Sequence, residues 1–526
     1  MRKSVSIFAL LLFLSIGMFN CSQFSNFVYA NFSFPTIPSH SIEITKDGNV
    51  SGTNSIQRND NIYIFTEDII GNIVIFSNDI IIDGDGYTLL GNGSGTGIWL
   101  QEKNNVEIKN LHVRNFHNGM IFTWGNTGTG CKNITLSRNT ITDNQYGVTF
   151  RVSENNHLMG NTIANNTYGI TITPSPNNTF KNNQLTNNLH SLWFECTETV
   201  GVANYVNDID ESNIIDGKPI IYWVNQQNKT VPSNAGYVAL INCKNITVQN
   251  LILTNNSPGI MLVATNNSHV TKNHITSALS PRGYGIVLFA LDKQCIGNTI
   301  TENNITSNIH GILSWKSENT IITKNTISNN QENGIYLFGC KNTIISENII
   351  TANHLNGIYI WGDTSLGFSS NNTLSDNQIR NNKNGILIES ASNMKILGNI
   401  IKSNSGWGLI LNYLGYNSFS NNTIYHNDFF NNQQVLYDDD DEPARDIWNN
   451  GEEGNYWSDY NGTDNDGDGI GDTPYIINEE NQDNYPLMNQ LDIGIIPEFP
   501  SWTILPIFLS VTFFVIVFKK KLFQNP

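Results

Sequence analysis

The chain has 526 residues and a formal net charge of -17. That length fits several ordinary domains or one elongated solenoid. The acidic balance excludes a nucleic-acid binder, because no basic surface is left to replace phosphate counterions. It suits solubility and divalent-cation binding.

Arg2 and Lys3 precede an apolar run from Val5 to Met18, and Val28-Tyr29-Ala30 supplies a small-residue cleavage site. Residues 1–30 therefore read as a secretory signal peptide. Met18-Phe19-Asn20 is a poor approach to a lipidated cysteine at Cys21. Residues 31–75 read as a lead-in that caps the body.

The body, residues 76–430, repeats one pattern: Asn-x-Ile, a few polar residues, Asn-Asn, then Gly-Ile and a second apolar pair. The glycine falls at Gly119, Gly147, Gly169, Gly285, Gly311, Gly334, Gly357, Gly385 and Gly408. Successive repeats lie roughly 22 to 28 residues apart, the length of one solenoid turn. Each short run alternates apolar and polar residues, as strands with one buried face do. No helical period of ten or more residues separates them, which excludes βαβ units. In stacked coils the recurring Asn residues align. They tolerate left-handed backbone at turns, and their amides can pair with the next coil about 4.8 Å away. The expected fold is an all-β, right-handed parallel β-helix, its hand resting on the usual chirality preference.

Residues 197–242 interrupt the repeat with Asp216-Gly217-Lys218-Pro219 and Val231-Pro232-Ser233. Cys131, Cys243 and Cys340 share one phase of different coils, each followed by Lys-Asn, and read as buried ladder positions. Several Asn-x-Ser/Thr sequons, Asn133, Asn304 and Asn461 among them, could carry glycans on an exported chain.

Residues 431–490 form an acidic, aromatic closing segment. Within it Asp464, Asp466, Asp468, Ile470 (through its carbonyl) and Asp472 match most of a calcium loop, with Gly469 at the turn position of the motif. Tyr475 stands where that loop has its bidentate Glu, so the site reads as a weak structural calcium site or as a metal-free Asp-Gly turn. Residues 491–500 form a linker. Ser501 to Phe518 is an uncharged apolar run of spanning length. Lys519, Lys520 and Lys521 follow, placing residues 519–526 in the cytoplasm and the body outside the cell.

An aromatic stripe accompanies four successive coils. Four residues past the corner glycine stand Phe289, Trp315, Phe338 and Trp361; two past it stand Tyr336 and Tyr359 in the last two coils. These positions lie on the strand face opposite Ile286, Ile312, Ile335 and Ile358. Facing outward, they would make a sugar-binding ladder about 14 Å long. If the chain corners earlier, the rings stack inside instead. Arg282, beside the stripe, is the one candidate for a lyase-type base or charge stabiliser. No catalytic signature of the polygalacturonases or alginate epimerases is present. The histidines form no His-x-His pair, and neither cysteine nor methionine clusters as soft-metal sites require.

The coils, the Asp216-Gly217-Lys218-Pro219 insert and the closing segment from Gly454 through Tyr456-Trp457-Ser458-Asp459-Tyr460 to Tyr485-Pro486-Leu487 resemble the NosD-type β-helix family, over roughly residues 80–490. The resemblance implies a right-handed parallel β-helix. It also implies one of two roles: assistance in copper delivery, or binding or cleavage of surface polysaccharide. Ile496-Pro497-Glu498-Phe499-Pro500 resembles the Pro-Glu-Phe tail of archaeal surface proteins, which implies a sorting or processing enzyme as a partner. The expectation is a membrane-anchored surface protein that binds or organises extracellular polysaccharide. A polysaccharide lyase or hydrolase and a copper-handling accessory protein are the alternatives.

Overall fold

The computed structural model describes residues 41–490 apart from 126, 196–200, 277–282, 364–366, 413–420 and 439–445. The expected signal peptide, membrane span and Pro497–Pro500 motif lie outside the described residues. So do Arg282, Cys196 and most of the Asp438–Glu442 run. Among the described residues no helix is long and apolar enough to cross a membrane.

The described chain is all but entirely β, and its strands stack in parallel. One coil of the first stack runs through Thr96–Gln101, Val106–Lys109 and His112–Arg114; the next runs through Asn118–Thr123, Thr135–Ser137 and Thr140–Thr142. Each strand pairs in register with the equivalent strand of the next coil. Ile98, Met120, Val148, Ile170 and Leu192 form one column of partners. Ile141, Ile163, Leu185 and Ile215 form another. Every one of these side chains is buried, so the alternating pattern of each strand builds a continuous apolar core along the axis.

The paired asparagines divide the work at each corner. The first adopts left-handed backbone: φ is 56° at Asn165, 53° at Asn187 and 55° at Asn329. The second is buried and passes hydrogen bonds from coil to coil. Asn144 Nδ2 donates to Asn166 Oδ1 at 3.0 Å, and Asn166 Nδ2 to Asn188 Oδ1 at 3.0 Å. Such buried amides are tolerated because each meets its acceptors inside the ladder. The glycines of the Gly-Ile pairs face a different constraint. A Cβ on Gly311 would meet the carbonyl oxygen of Gly334 at 2.6 Å, so the close stacking of coils excludes any larger residue there.

The interruption near residue 216 is a reversal of the chain. Ile214–Ile215 pairs antiparallel with the start of Lys218–Val224, Ile215 opposite Lys218. Asp216 and Gly217 turn between them with φ of 47° and 81°, the geometry of an Asp-Gly hairpin. Lys218–Val224 then begins a second parallel stack, continued by Tyr237–Ile241, Ile260–Val263, Tyr284–Phe289, His310–Trp315, Ile335–Phe338, Asn356–Trp361, Asn384–Glu389 and Trp407–Asn412. Its own core holds Ile286, Ile312, Ile335 and Ile358.

The closing segment continues this stack beyond residue 430. Tyr456–Trp457 pairs parallel with Asp428–Phe430. The amide ladder runs from Asn399 through Asn427 to Asn455 and ends on Asp483, whose Oδ2 accepts the Asn455 N–H at 2.7 Å and Trp457 Nε1–H at 3.0 Å. Trp448 and Trp457 are both buried over the end of the core, closing an edge that would otherwise expose apolar surface.

Candidate functional site

Two sheets of the first stack end at the chain reversal, one with His190–Phe194 and one with Asp208–Ile209. Asp208–Ile209 pairs with Thr179–Lys181 below. The second stack starts beside it. Between them lies a cleft of about 600 Å³, lined by residues 207–212 on one side and Tyr222, Trp223, Val224 and Gln226 on the other. Its volume is that of a small-ligand site.

Three carboxylates line it. Asp208 pairs with Lys181 at 3.5 Å. Asp210 accepts the Ser212 backbone N–H at 3.1 Å and the Ser212 hydroxyl. Glu211 is exposed and its side chain makes no hydrogen bond or ion pair among the described residues. Trp223 is half-buried, and the Lys229 ammonium sits 5.4 Å from its ring centroid while donating to Gln226 Oε1 at 2.7 Å. Tyr222 is buried and donates to the Tyr205 carbonyl. Asn207 is only 5% exposed, and its Nδ2, itself buried, has no acceptor among the described residues.

None of these residues stood among the sequence candidates. The available signal was the break in the repeat and the Asp-Gly turn after Ile215, since a solenoid that changes course must end a sheet.

The aromatic stripe is corrected. Phe289, Trp315, Tyr336, Phe338, Tyr359 and Trp361 do lie on the face opposite the isoleucine core, but they are between 0% and 7% exposed. They belong to the same apolar cluster as the first stack's core. The reversal explains this: the third sheet of the first stack passes through the hairpin into the second stack, and its apolar face continues onto these residues. The rings stack on each other, Trp315 on Phe338 at 3.9 Å and Tyr336 on Tyr359 at 4.8 Å. They make a packed column and not a solvent-facing ladder.

Next to that column His310 is buried, its Nε2 3.3 Å from Glu332 Oε2. Burial pushes the imidazole down to about 3 and the Glu332 carboxyl up, so both favour their neutral forms. His190 is buried, neither ring nitrogen has a partner among the described residues, and burial lowers it to about 4.

The acidic loop brings together three of its five predicted ligands. The carboxylates of Asp464, Asp466 and Asp468 converge within 4.8 Å of one another, the one such group of three His, Cys, Asp or Glu side chains among the described residues. Asp464 accepts the Gly467 and Gly469 N–H groups at 2.7 and 3.0 Å. The Asp472 carboxylate turns away to Asn465, accepting its backbone N–H at 3.0 Å. Ile470 is held by a bridge to Leu487.

A family model described as periplasmic copper-binding protein (NosD) matches residues 40–234, 216–366 and 297–462. Among solved structures, the periplasmic alginate epimerase AlgG is 14% identical, with 75% of this chain and 78% of that chain covered and a TM-score of 0.31. The Azotobacter vinelandii mannuronan C-5 epimerase AlgE6 A-module is 13% identical, with 72% and 89% covered and a TM-score of 0.31. PfbA, a surface adhesin of Streptococcus pneumoniae, is 14% identical, with 71% and 86% covered and a TM-score of 0.28. No curated protein matches the chain.

The family description raises copper, and the described donors do not fit it. Copper sites draw on thiolate, thioether and imidazole ligands. Here burial pushes the Cys131 thiol up to about 11 and Cys295 up to about 12, so both stay protonated. The buried histidines, His190 and His310, stand in separate stacks. The converging group is all carboxylate, which suits a hard cation.

Proposed function

This chain is a member of the NosD family, and on that premise we propose that it is a β-helix protein of the cell exterior that binds polysaccharide in the cleft between its two stacks. The observation that carries this reading is Trp223, half-buried beside Asp208, Asp210, Glu211 and Gln226. A sugar ring offers an apolar C–H face and a rim of hydroxyls. An aromatic plane takes the first and carboxylate or amide groups take the second. The coils on both sides of the cleft are tied to their neighbours by in-register strand pairing, which supports a preformed site.

The same proposal includes a calcium ion held by Asp464, Asp466 and Asp468, which would tie the closing segment into one shape. It places the chain outside the membrane, held by residues 501–518 or exchanged for another anchor by a processing enzyme acting at Pro497–Pro500.

The test is a panel of extracellular polysaccharides offered to the full chain and to Trp223→Ala, with products followed by mass spectrometry. Binding lost in the variant, without new products, supports the proposal. New oligosaccharides would replace it with a lyase or hydrolase. A chain that binds no glycan would remove it.

A further inference from the structure

We infer that one corner of the solenoid is a row of N-glycosylation sites, at Asn133, Asn177, Asn228, Asn245, Asn371 and Asn421, an inference that rests on the exterior location proposed above. Each of these residues stands at the corner leading into the second strand of its coil. Each is exposed and left-handed, with φ between 53° and 79°, so its amide stands on a turn open to solvent. Each is followed two residues on by a threonine: Thr135, Thr179, Thr230, Thr247, Thr373 or Thr423. In each stack those threonines share one column of the second sheet, half-buried or exposed. Thr135 and Thr179 both pair with His157, Thr230 with Thr247, and Thr373 and Thr423 with Lys395. Asn-x-Thr on an exposed turn of an exported chain is an acceptor of N-linked glycan.

The needs of the fold alone do not account for the row. Left-handed residues stand at all three corners of the coil, but the pattern recurs at one. At the corner into the third strand, Thr140, Thr162 and Thr326 follow Arg138, Gly160 and Lys324 by two residues, so the hydroxyl is present and the asparagine is not. At the corner back to the first strand, Asn187, Asn329 and Asn381 are left-handed, but Leu189, Gln331 and Lys383 stand in place of the threonine. Asn165 and Asn255 are the exceptions there among the described residues. The fold closes the sequons of Asn255 and Asn266. Both asparagines are half-buried, Ser257 and Ser268 are 1% and 0% exposed, and Asn266 Oδ1 accepts the Ile296 N–H at 2.7 Å.

Spacing and bonding leave room for the modification. The coil of Asn155 separates Asn133 from Asn177, and that of Asn393 separates Asn371 from Asn421; two coils span about 10 Å. Asn228 and Asn245 stand on adjacent coils, Asn245 Nδ2 donating to Asn228 Oδ1 at 2.7 Å, so a glycan on one excludes a glycan on the other. Asn133 Nδ2 and Asn421 Nδ2 donate to Asn105 Oδ1 and Asn393 Oδ1 at 3.0 and 2.7 Å. An amide nitrogen carries two hydrogens, so this bond survives loss of the other one. In the transfer, that nitrogen bonds to the anomeric carbon of a sugar activated as a lipid phosphate ester, which a transferase of the exporting cell supplies. The carbon–oxygen bond breaks, the lipid phosphate leaves with its electron pair, and the amide proton is lost to base.

The experiment is glycopeptide mass spectrometry on the full chain, recovered from cells that export it and N-glycosylate their exported proteins. The expected result is added sugar mass at Asn133, Asn177, Asn371 and Asn421 and on one of Asn228 and Asn245 in each molecule, with Asn255 and Asn266 bare. Thr135→Ala and Thr373→Ala should each abolish modification of the asparagine two residues before and leave the other sites occupied. Neither substitution touches a left-handed residue or the core, and thermal unfolding confirms that the coils of both variants are intact. Bare asparagines along the row, in a chain found outside the cell, overturn this inference and leave the exterior reading standing. Modification of Asn255 and Asn266 to the same extent as the row also overturns it. Modification retained at Asn133 and Asn371 in the threonine variants assigns the added mass to another chemistry and overturns it too. A chain shielded from external protease on intact cells overturns both readings.

Discussion

The side-chain oxygen of Asn207 accepts the backbone N–H of Asn178 at 2.9 Å, and there the ladder stops. Below it the column runs through Asn156, whose Nδ2 donates to Asn178 Oδ1 at 2.9 Å. Every inner member of the column both gives and receives. Asn207 receives only: among the described residues its Nδ2 has no acceptor, whereas Asn178 Nδ2 donates back to the Ser153 carbonyl at 3.2 Å. The column ends at this residue, which lines the cleft.

Removing an inner ladder amide should be costly. Asn377 accepts from the N–H and Nδ2 of Asn348 at 3.0 Å each, and donates to the Ile345 carbonyl at 2.8 Å and Asn399 Oδ1 at 2.9 Å. Asn377→Ala leaves buried groups on both neighbouring coils without partners, so it should destabilise by about 2–3 kcal/mol. Denaturant unfolding measures this. Asn207→Ala, at the ladder's end, should cost less.

The left-handed asparagines should behave differently. Asn381 is exposed with φ of 56°. Asn381→Gly should change stability by less than about 0.5 kcal/mol, whereas Asn381→Val should cost about 1–2 kcal/mol from backbone strain alone. Equal effects in a melting comparison would mean that the side chain and not the backbone matters there.

Acid should weaken the fold before the carboxylates titrate. Unfolded histidine takes up its proton near pH 6.5, whereas buried His190 does so at about 4 and His310 at about 3. Over that interval the unfolded chain binds more protons, so stability falls as pH falls from about 6.5 toward 4, at about 1.4 kcal/mol per unit for each fully shifted group. Glu332, facing His310, has a raised folded value and works in the opposite sense: its share is lost as pH rises. His190→Gln should flatten the acid-side slope of melting temperature against pH by close to one proton's worth.

Calcium should stabilise the closing segment. A weak extracellular site with a dissociation constant of about 10⁻⁴–10⁻³ M gains about 1–3 kcal/mol at ~10 mM calcium. The rise in melting temperature should vanish with chelator and in Asp464→Asn combined with Asp468→Asn. An unchanged curve in calcium would leave the loop as a turn held by its own backbone bonds.

Asp483 should be the keystone of the C-terminal cap. It is buried and accepts from Asn455 N–H, Trp457 Nε1 and Tyr485 N–H at 2.7, 3.0 and 3.1 Å. Asp483→Ala strands these donors and should cost about 3 kcal/mol, seen as early proteolysis of the last coils. Asp483→Asn keeps one acceptor and should be milder.

The coils were legible in the sequence because their chemistry is local. A Gly-Ile pair marks a corner where no Cβ fits, an Asn-Asn pair marks a left-handed residue followed by a ladder amide, and alternation marks which face is core. Alternation also placed Phe289, Trp315, Phe338 and Trp361 opposite Ile286 and its partners. It could not tell what the second face meets, which depends on a reversal dozens of residues earlier. Alternation therefore gives the stripe's face and leaves open whether that face meets solvent or core; the burial of the rings settles it as core. The cleft stayed hidden for the same reason. Asp208, Asp210 and Glu211 lie close in sequence, but Trp223 joins them only because Ile215 and Lys218 pair antiparallel. The ladder's extension to Asp483 was missed because its last members, Asn455 and Asp483, sit in a segment without the Gly-Ile signal.

The most direct test is the structure of the chain bound to an oligosaccharide from the polysaccharide it retains. The account predicts a sugar ring against Trp223 with its hydroxyls toward Asp210, Glu211 or Gln226. A sugar bound to another face of either stack, with the cleft beside Trp223 empty, would contradict it.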